Sequence, residues 1–225
     1  MSNGRTASFQ DNSAHGEDAF LIRELSDTSS LDAILDGVTG CEGGYASGFT
    51  SQILQDARIE SLSDLVDALE LANSTLYQSG RGRNLLTTIA VVLKIGEELH
   101  IINAGDSPAY LMRGGEALEL TTIVKSSLLP SMVSGAVGLH QRLAYSYKKI
   151  DLQPQDRLVL ATDGLINNVF PEEMAEIVKG ASSPDEAVSA LSALVSEKRR
   201  LHIGRQDSYG TFREDDRTAI FRYLE

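Results

Sequence analysis

The chain has 225 residues, 42% of them hydrophobic and 23% charged, enough to bury one sizeable core, and residues 1–225 read as a single domain. Lys and Arg total 20 against 32 Asp and Glu, a net charge of −12, which argues against nucleic acid or an anionic membrane surface as partner and suits either solubility or a gathering of carboxylates for cations. Cys41 is the only cysteine, so no intrachain disulfide forms; Met1 to Asn12 is too polar for a signal peptide, no apolar run approaches the ~20 residues that span a bilayer, and a cytoplasmic location is expected.

In chain order, a strand is predicted over Ala19 to Leu25 and another over Leu31 to Leu35, running straight into Asp36-Gly37. Two helices follow. Tyr45, Phe49 and Ile53 recur every fourth residue on one face of the first; Leu62, Leu65, Val66, Leu69 and Leu76 keep helical spacing in the second, with Ser61 as N-cap. Strands return at Thr87 to Lys94, Leu99 to Ala104 and Ala109 to Arg113, with Gly96 and Gly114-Gly115 where tight antiparallel turns belong. A loop from about Val124 to Arg142 leads to strands at Leu143 to Leu152 and Arg157 to Ala161. Pro171 opens a short helix. Ser183-Pro184-Asp185-Glu186 opens a longer one whose apolar face is Val188, Leu191, Leu194 and Val195, and a strand closes the chain at Thr218 to Tyr223.

Ile89 to Leu93 and Leu158 to Ala161 are apolar at every position, the pattern of strands covered on both faces. Hairpin connections argue against a parallel sheet, and the helices come in two groups. An α+β fold satisfies both: an αββα four-layer sandwich of two antiparallel sheets flanked by helices.

Four acidic points recur at strand ends or loop edges: Glu17-Asp18, Asp36-Gly37, Asp163-Gly164 and Asp215-Asp216. Strand alternation puts Asp36 on the face of Ile34, and Asp163 on that of Val159 and Ala161. A carboxylate emerging on the core face is poorly solvated and needs a cation. Taken singly, each Asp-Gly reads better as a turn; the matched set shifts the reading to a metal cluster. An all-oxygen donor set without paired His or Cys points to Mg²⁺ or Mn²⁺ rather than zinc.

These residues carry a resemblance. Gly16-Glu17-Asp18-Ala19-Phe20, Asp36-Gly37-Val38-Thr39-Gly40 with Gly43-Gly44, the hairpin Thr87 to Val92 and Asn103 to Tyr110, Leu160 to Leu165, and Asp215 to Ile220 occur in the order of the metal-dependent type 2C Ser/Thr protein phosphatases. The chain resembles a compact bacterial-like member of that family, from residue 16 to the C-terminus. The resemblance implies that Asp36 bridges two Mn²⁺ or Mg²⁺ ions, that the Gly37 carbonyl joins the second, and that Asp163 and Asp215 complete the first. Glu17 would reach the second ion through water with Asp18 close by, and Asp106 would belong to a third, weaker position. It further implies hydrolysis of phosphoserine and phosphothreonine on protein substrates by a metal-activated water.

Departures from the family pattern accompany the match. Ser13 stands where the family has a phosphate-gripping Arg, Gly16 where it has Asn, Val38 where many eukaryotic members have His, Pro108 where it has Arg, and Asn167 where a third metal draws an Asp. The stretch between Thr122 and Ala144 is short for the family's flap. Arg5 and Arg142 are the cations that could fill the gap left at position 13.

Other phosphatase chemistries are absent: Cys41 has Ser47, not Arg, six positions on, and Asp36 has Ile34 where an aspartyl-phosphate enzyme needs Asp. Gly105 to Ala109 lacks the last Gly of a nucleophile elbow. His15, His100, His140 and His202 are scattered and read as surface or satisfied histidines. Arg81, Arg83 and Lys198-Arg199-Arg200 read as solvated charges. Two alternatives remain: a weakly active or non-catalytic phosphoprotein-binding regulatory module of the same fold, and a hydrolase of small phosphoesters.

Overall fold

A computed structural model describes residues 2–122, 135–202 and 210–224. The elements run β1 (Arg5–Asp11), β2 (Asp18–Ser26), β3 (Ser29–Asp36), α1 (Gly43–Asp56), α2 (Leu62–Gly80), β4 (Ile89–Ile95), β5 (Glu98–Ala104), β6 (Ala109–Arg113), β7 (Glu116–Glu119), β8 (Ser146–Asp151), β9 (Arg157–Ala161), α3 (Asp163–Ile166), α4 (Pro171–Gly180), α5 (Pro184–Leu201) and β10 (Arg217–Tyr223). They build two five-stranded sheets, ordered β1-β10-β9-β6-β7 and β2-β3-β4-β5-β8, with every pairing antiparallel.

Strand alternation sorts the apolar residues into three layers. Ile34, Ala90, Val92, Leu111, Leu160 and Ile220 fill the seam between the sheets. Ala33, Val91 and Leu93 turn the other way, onto Leu65, Leu69 and Leu76 of α2. On the second sheet Val159, Ala219 and Phe221 face outward, onto Met174 of α4 and Leu191 of α5. Helices, sheet, sheet and helices are therefore four layers, and the expected αββα sandwich is the observed one.

The helix starts follow their caps. The Ser61 hydroxyl accepts from Asp64 N–H while the Asp64 carboxylate accepts from Ser61 N–H, and Ser183 caps α5 by accepting from Glu186 N–H. The first helix departs from its expected face. Gly43, Ala46, Ser47, Thr50 and Leu54 are the buried side of α1, because small residues let it lie close to β2; Phe49 and Ile53 sit on its flank, and Tyr45 is 60% exposed and stacks on Phe49. Lys198 corrects its solvated reading: it is buried, with Nζ 2.5 Å from Glu173 Oε2 and donating to the Asn168 carbonyl. The segment where a short flap is expected falls largely in 123–134, outside the described residues.

The seam has polar ends. At one, Arg222 on β10 forks onto Asp32 on β3, Nε to Oδ2 at 2.6 Å and Nη2 to Oδ1 at 2.8 Å, both residues fully enclosed. Arg222 also donates to the Asn3 carbonyl, and Asn3 donates to the Ser26 and Ser29 carbonyls. The carboxylates gather at the other end.

Candidate active site

Asp18 lies directly opposite Asp36 in the β2–β3 pairing. Phe20, Ile22 and Ile34 pack into the seam, so alternation turns both carboxylates into its end, as expected for Asp36. Asp163 arrives by another route. Val159 and Ala161 face the outer helices, β9 stops at Ala161, and Asp163 is the first residue of α3. The turn into the helix, not strand alternation, brings it to the seam. Asp106 occupies the crossing from β5 in one sheet to β6 in the other, held by Asn103 Nδ2 donating to the Ser107 carbonyl and by Thr88 Oγ1 at 3.0 Å from Ser107 Oγ. Asp215 precedes β10. Asp36, Gly37, Asp106, Asp163 and Asp215 all line one cavity of about 340 Å³.

The two Asp-Gly glycines serve close approach rather than positive φ, which neither adopts. A Cβ on Gly37 would collide with the Gly43 backbone, and one on Gly164 with the Asp216 carbonyl. Backbones touching at these points set the spacing of Asp36, Asp163 and Asp215.

Crowding is written in the proton affinities. Asp36 and Asp163 lie close enough for each to act on the other's proton affinity. Burial, then the charges of Asp163 and Asp18, push Asp36 up to about 10. Asp18 is pushed up to about 7, by burial first, although its Oδ2 accepts from Thr218 Oγ1 at 2.7 Å and Thr162 Oγ1 at 2.9 Å. Burial raises Asp163 and Asp106 as well. Asp18 Oδ1 is buried with no hydrogen-bond partner.

That orphaned oxygen and an all-oxygen donor set of crowded acids fit hard divalent cations. Among the described residues no three acidic, His or Cys side chains close on a single point. The carboxylates ring the cavity instead, an arrangement that suits ions keeping several water ligands.

The other expected residues divide. Glu17 sits beside the cavity: its carbonyl accepts from Gly37 N–H and Ser47 Oγ, and its Oε2 accepts from Thr39 Oγ1 at 2.6 Å. Arg5 is elsewhere. It opens β1 opposite Tyr223, whereas the site adjoins the Asp11–Arg217 end of that pairing, so it cannot replace the missing Arg. Arg142 is exposed and does not line the cavity. Ser13 is exposed, its N–H donating to Asp11 Oδ1. Asn167 Nδ2 donates to Asp163 Oδ2 at 3.3 Å, binding the first carboxylate where the family pattern would add another.

Three residues take roles that sequence reasoning did not give them. Asp216 is buried and accepts N–H from Ala14, His15 and Glu17, pinning the loop that carries the first acidic pair. His15 Nδ1 lies 3.3 Å from Asp215 Oδ1. The Arg213 charge favours ionisation of Asp163. The available signal was proximity: His15 precedes Glu17, and Arg213 precedes Asp215, by two residues.

Known proteins resemble this chain in sequence and in fold. The profile of the Stage II sporulation protein E (SpoIIE) family matches residues 34–220. The serine/threonine phosphatase stp of Listeria welshimeri is 26% identical over 92% of this chain and 89% of its own length. A probable protein phosphatase 2C 26 of Arabidopsis thaliana is 26% identical over 82% of this chain and 63% of its own. Among solved structures, PppA, described as a key regulatory component of T6SS in Pseudomonas aeruginosa, superposes with a TM-score of 0.80 at 23% identity over 99% of both chains. The catalytic domain of the serine threonine protein phosphatase PstP, in complex with two manganese ions, does so at 0.74 and 20% over 98% of both.

Proposed function

The chain belongs to the SpoIIE family of type 2C phosphatases, and from that membership we propose that residues 1–225 form one catalytic unit, a cytoplasmic metal-dependent protein serine/threonine phosphatase. The observation that carries the reading is the crowding of Asp18, Asp36, Asp106 and Asp163, acids whose raised proton affinities a bound cation would lower. Two Mn²⁺ or Mg²⁺ ions would supply activation of water at neutral pH and polarisation of the phosphoryl oxygens.

Asp36, Asp163 and Asp215 supply the charge that holds the ions, with the Gly37 carbonyl and Glu17 as further oxygen donors and Asp106 at the position of a weaker third. Asp18, braced by Thr162 and Thr218, contributes its unbonded oxygen from behind Asp36. Asp216 orders residues 14–17, and Gly164 keeps Asp163 against Asp215. Phosphate gripping falls to Arg213, whose charge acts on Asp163, in place of the family Arg absent at Ser13.

Turnover of p-nitrophenyl phosphate and of a phosphothreonine peptide, each with Mn²⁺ or Mg²⁺ and then with excess chelator, tests the reading. Activity toward the peptide that disappears in chelator is expected; full turnover in chelator would overturn it. A weakly active regulatory module is the second reading, favoured by a cavity whose described lining contains no Lys, Arg or His. Cation binding without peptide turnover would select it, and turnover of the small ester alone would select a small-phosphoester hydrolase.

A further inference from the structure

A second cavity, of about 550 Å³, opens at the opposite end of the β1-β10-β9-β6 sheet, on the side covered by α4. It is larger than the carboxylate cavity and lies the length of β9 and β10 away from it, roughly 20 Å. Its size is that of a small-ligand site.

Its chemistry is the inverse of the first. In a chain of net charge −12, Arg5, Arg113, Arg157 and Lys179 all line this one cavity, against a single carboxylate among the described residues, Asp156. Asp156 is already engaged, accepting Arg113 Nε at 2.9 Å and Nη2 at 2.7 Å as well as Gln153 N–H. Arg157 spends hydrogen bonds on neutral partners, the Val178 and Ala181 carbonyls, and its guanidinium lies 4.2 Å from the centre of the Tyr223 ring. Those bonds fix its position without cancelling its charge. Arg5 Nη2 donates to the Ser182 carbonyl, and Lys179 reaches in from the last turn of α4. Glu176, 3.7 Å from Lys179, and Glu186, bonded to Ser182, stand nearby, but neither lines the cavity. Met112 and Val178 add an apolar wall.

We infer that this cavity is a second anion site, built for a phosphate-bearing ligand. Forked guanidinium donors match phosphate oxygens, and a cavity with this net charge draws in a multivalent anion while the rest of the surface repels it. The ligand is either a free phosphate compound or a phosphorylated residue of a protein. The inference stands apart from the metal site, whose function it does not require.

Calorimetry of the full chain in excess chelator tests it, because the acidic cavity then repels anions and cannot contribute. Inorganic pyrophosphate is titrated in one arm and a phosphoserine peptide in the other. Lys179→Glu and Arg5→Glu are compared with Lys149→Glu, an exposed lysine on β8 paired with Glu98, after thermal melts confirm that each folds. Saturable one-site binding is expected in at least one arm, weakened about tenfold or more by each lining variant and little changed by Lys149→Glu. Pyrophosphate binding identifies a free phosphate compound as the ligand class, and peptide binding alone a phosphoprotein. No saturable binding in either arm, indifference to the two lining variants, or equal weakening by Lys149→Glu would each overturn the inference.

Discussion

Asp163→Asn should stabilise the metal-free protein while abolishing its activity. The replacement keeps the shape of the side chain and removes a charge that raises the proton affinity of Asp36, Asp18 and Asp106 together. The scale comes from Asp18. Its folded pKa of about 7 lies above the ordinary carboxylate value of 3.8, and at about 1.4 kcal/mol per pH unit its ionisation costs the fold on the order of 4 kcal/mol by pH 8. The sign follows from linkage: a raised carboxylate contributes stability below 3.8 that is lost as pH climbs through about 7. Burial is the largest cause and survives the replacement. Asp36, at about 10, stays protonated at pH 8 and gains little; removing the Asp163 charge returns roughly 1 kcal/mol to each of two neighbours, Asp18 and Asp106. The net is about 2 kcal/mol, or a Tm raised by about 4–8 °C for a chain of this size.

Thermal melts of parent and variant in chelator, at pH 5 and pH 8, measure this directly. The gap should widen at pH 8, where more of the cluster is ionised. Excess Mn²⁺ should reverse the order by stabilising the parent far more than the variant. A variant that melts below the parent in chelator at pH 8 would mean that the carboxylates do not crowd one another, and the case for a cation site would fall with them.

Ser13→Arg should lower KM for a phosphopeptide roughly tenfold to a hundredfold with kcat changed less, and Arg213→Ala should raise it; steady-state kinetics at saturating Mn²⁺ read both. Gly164→Ala drives a methyl group into the Asp216 carbonyl, and a displacement of Asp215 by about 1 Å should cut kcat on the order of a hundredfold in a protein whose circular dichroism is unchanged. Arg222→Met strands Asp32 in the seam and should cost roughly 3–5 kcal/mol in a urea melt, most of it regained when Asp32→Leu is added.

The strands that bury both faces were the most legible part of the fold, because Ile89 to Leu93 and Leu158 to Ala161 allow little else. β1 was not foreseen: Arg5-Thr-Ala-Ser-Phe-Gln-Asp carries too little apolar alternation to announce a strand, and it becomes one by pairing with β10. Asp36 was placed correctly by counting along β3. Asp163 was not, because the period changes from strand to helix between Ala161 and Asp163. Arg5 looked close to the missing Arg in sequence, yet β1 carries the two positions to opposite ends of a sheet. The roles of Asp216, His15 and Arg213 were not legible because their partners lie about two hundred residues away or on a neighbouring element, a kind of proximity that spacing alone does not encode.

The position of β10 has a consequence for the order in which this protein is made. β10 is interior to its sheet, between β1 and β9. Until it leaves the ribosome, β1, made about two hundred residues earlier, lacks the strand it pairs with, and the loop bearing Glu17 lacks the Asp216 carboxylate that gathers its amides. The first and last acidic pairs therefore come into being together. A growing chain carries no working centre until β10 is made, and pairing across about two hundred residues makes this closure a slow, long-range step.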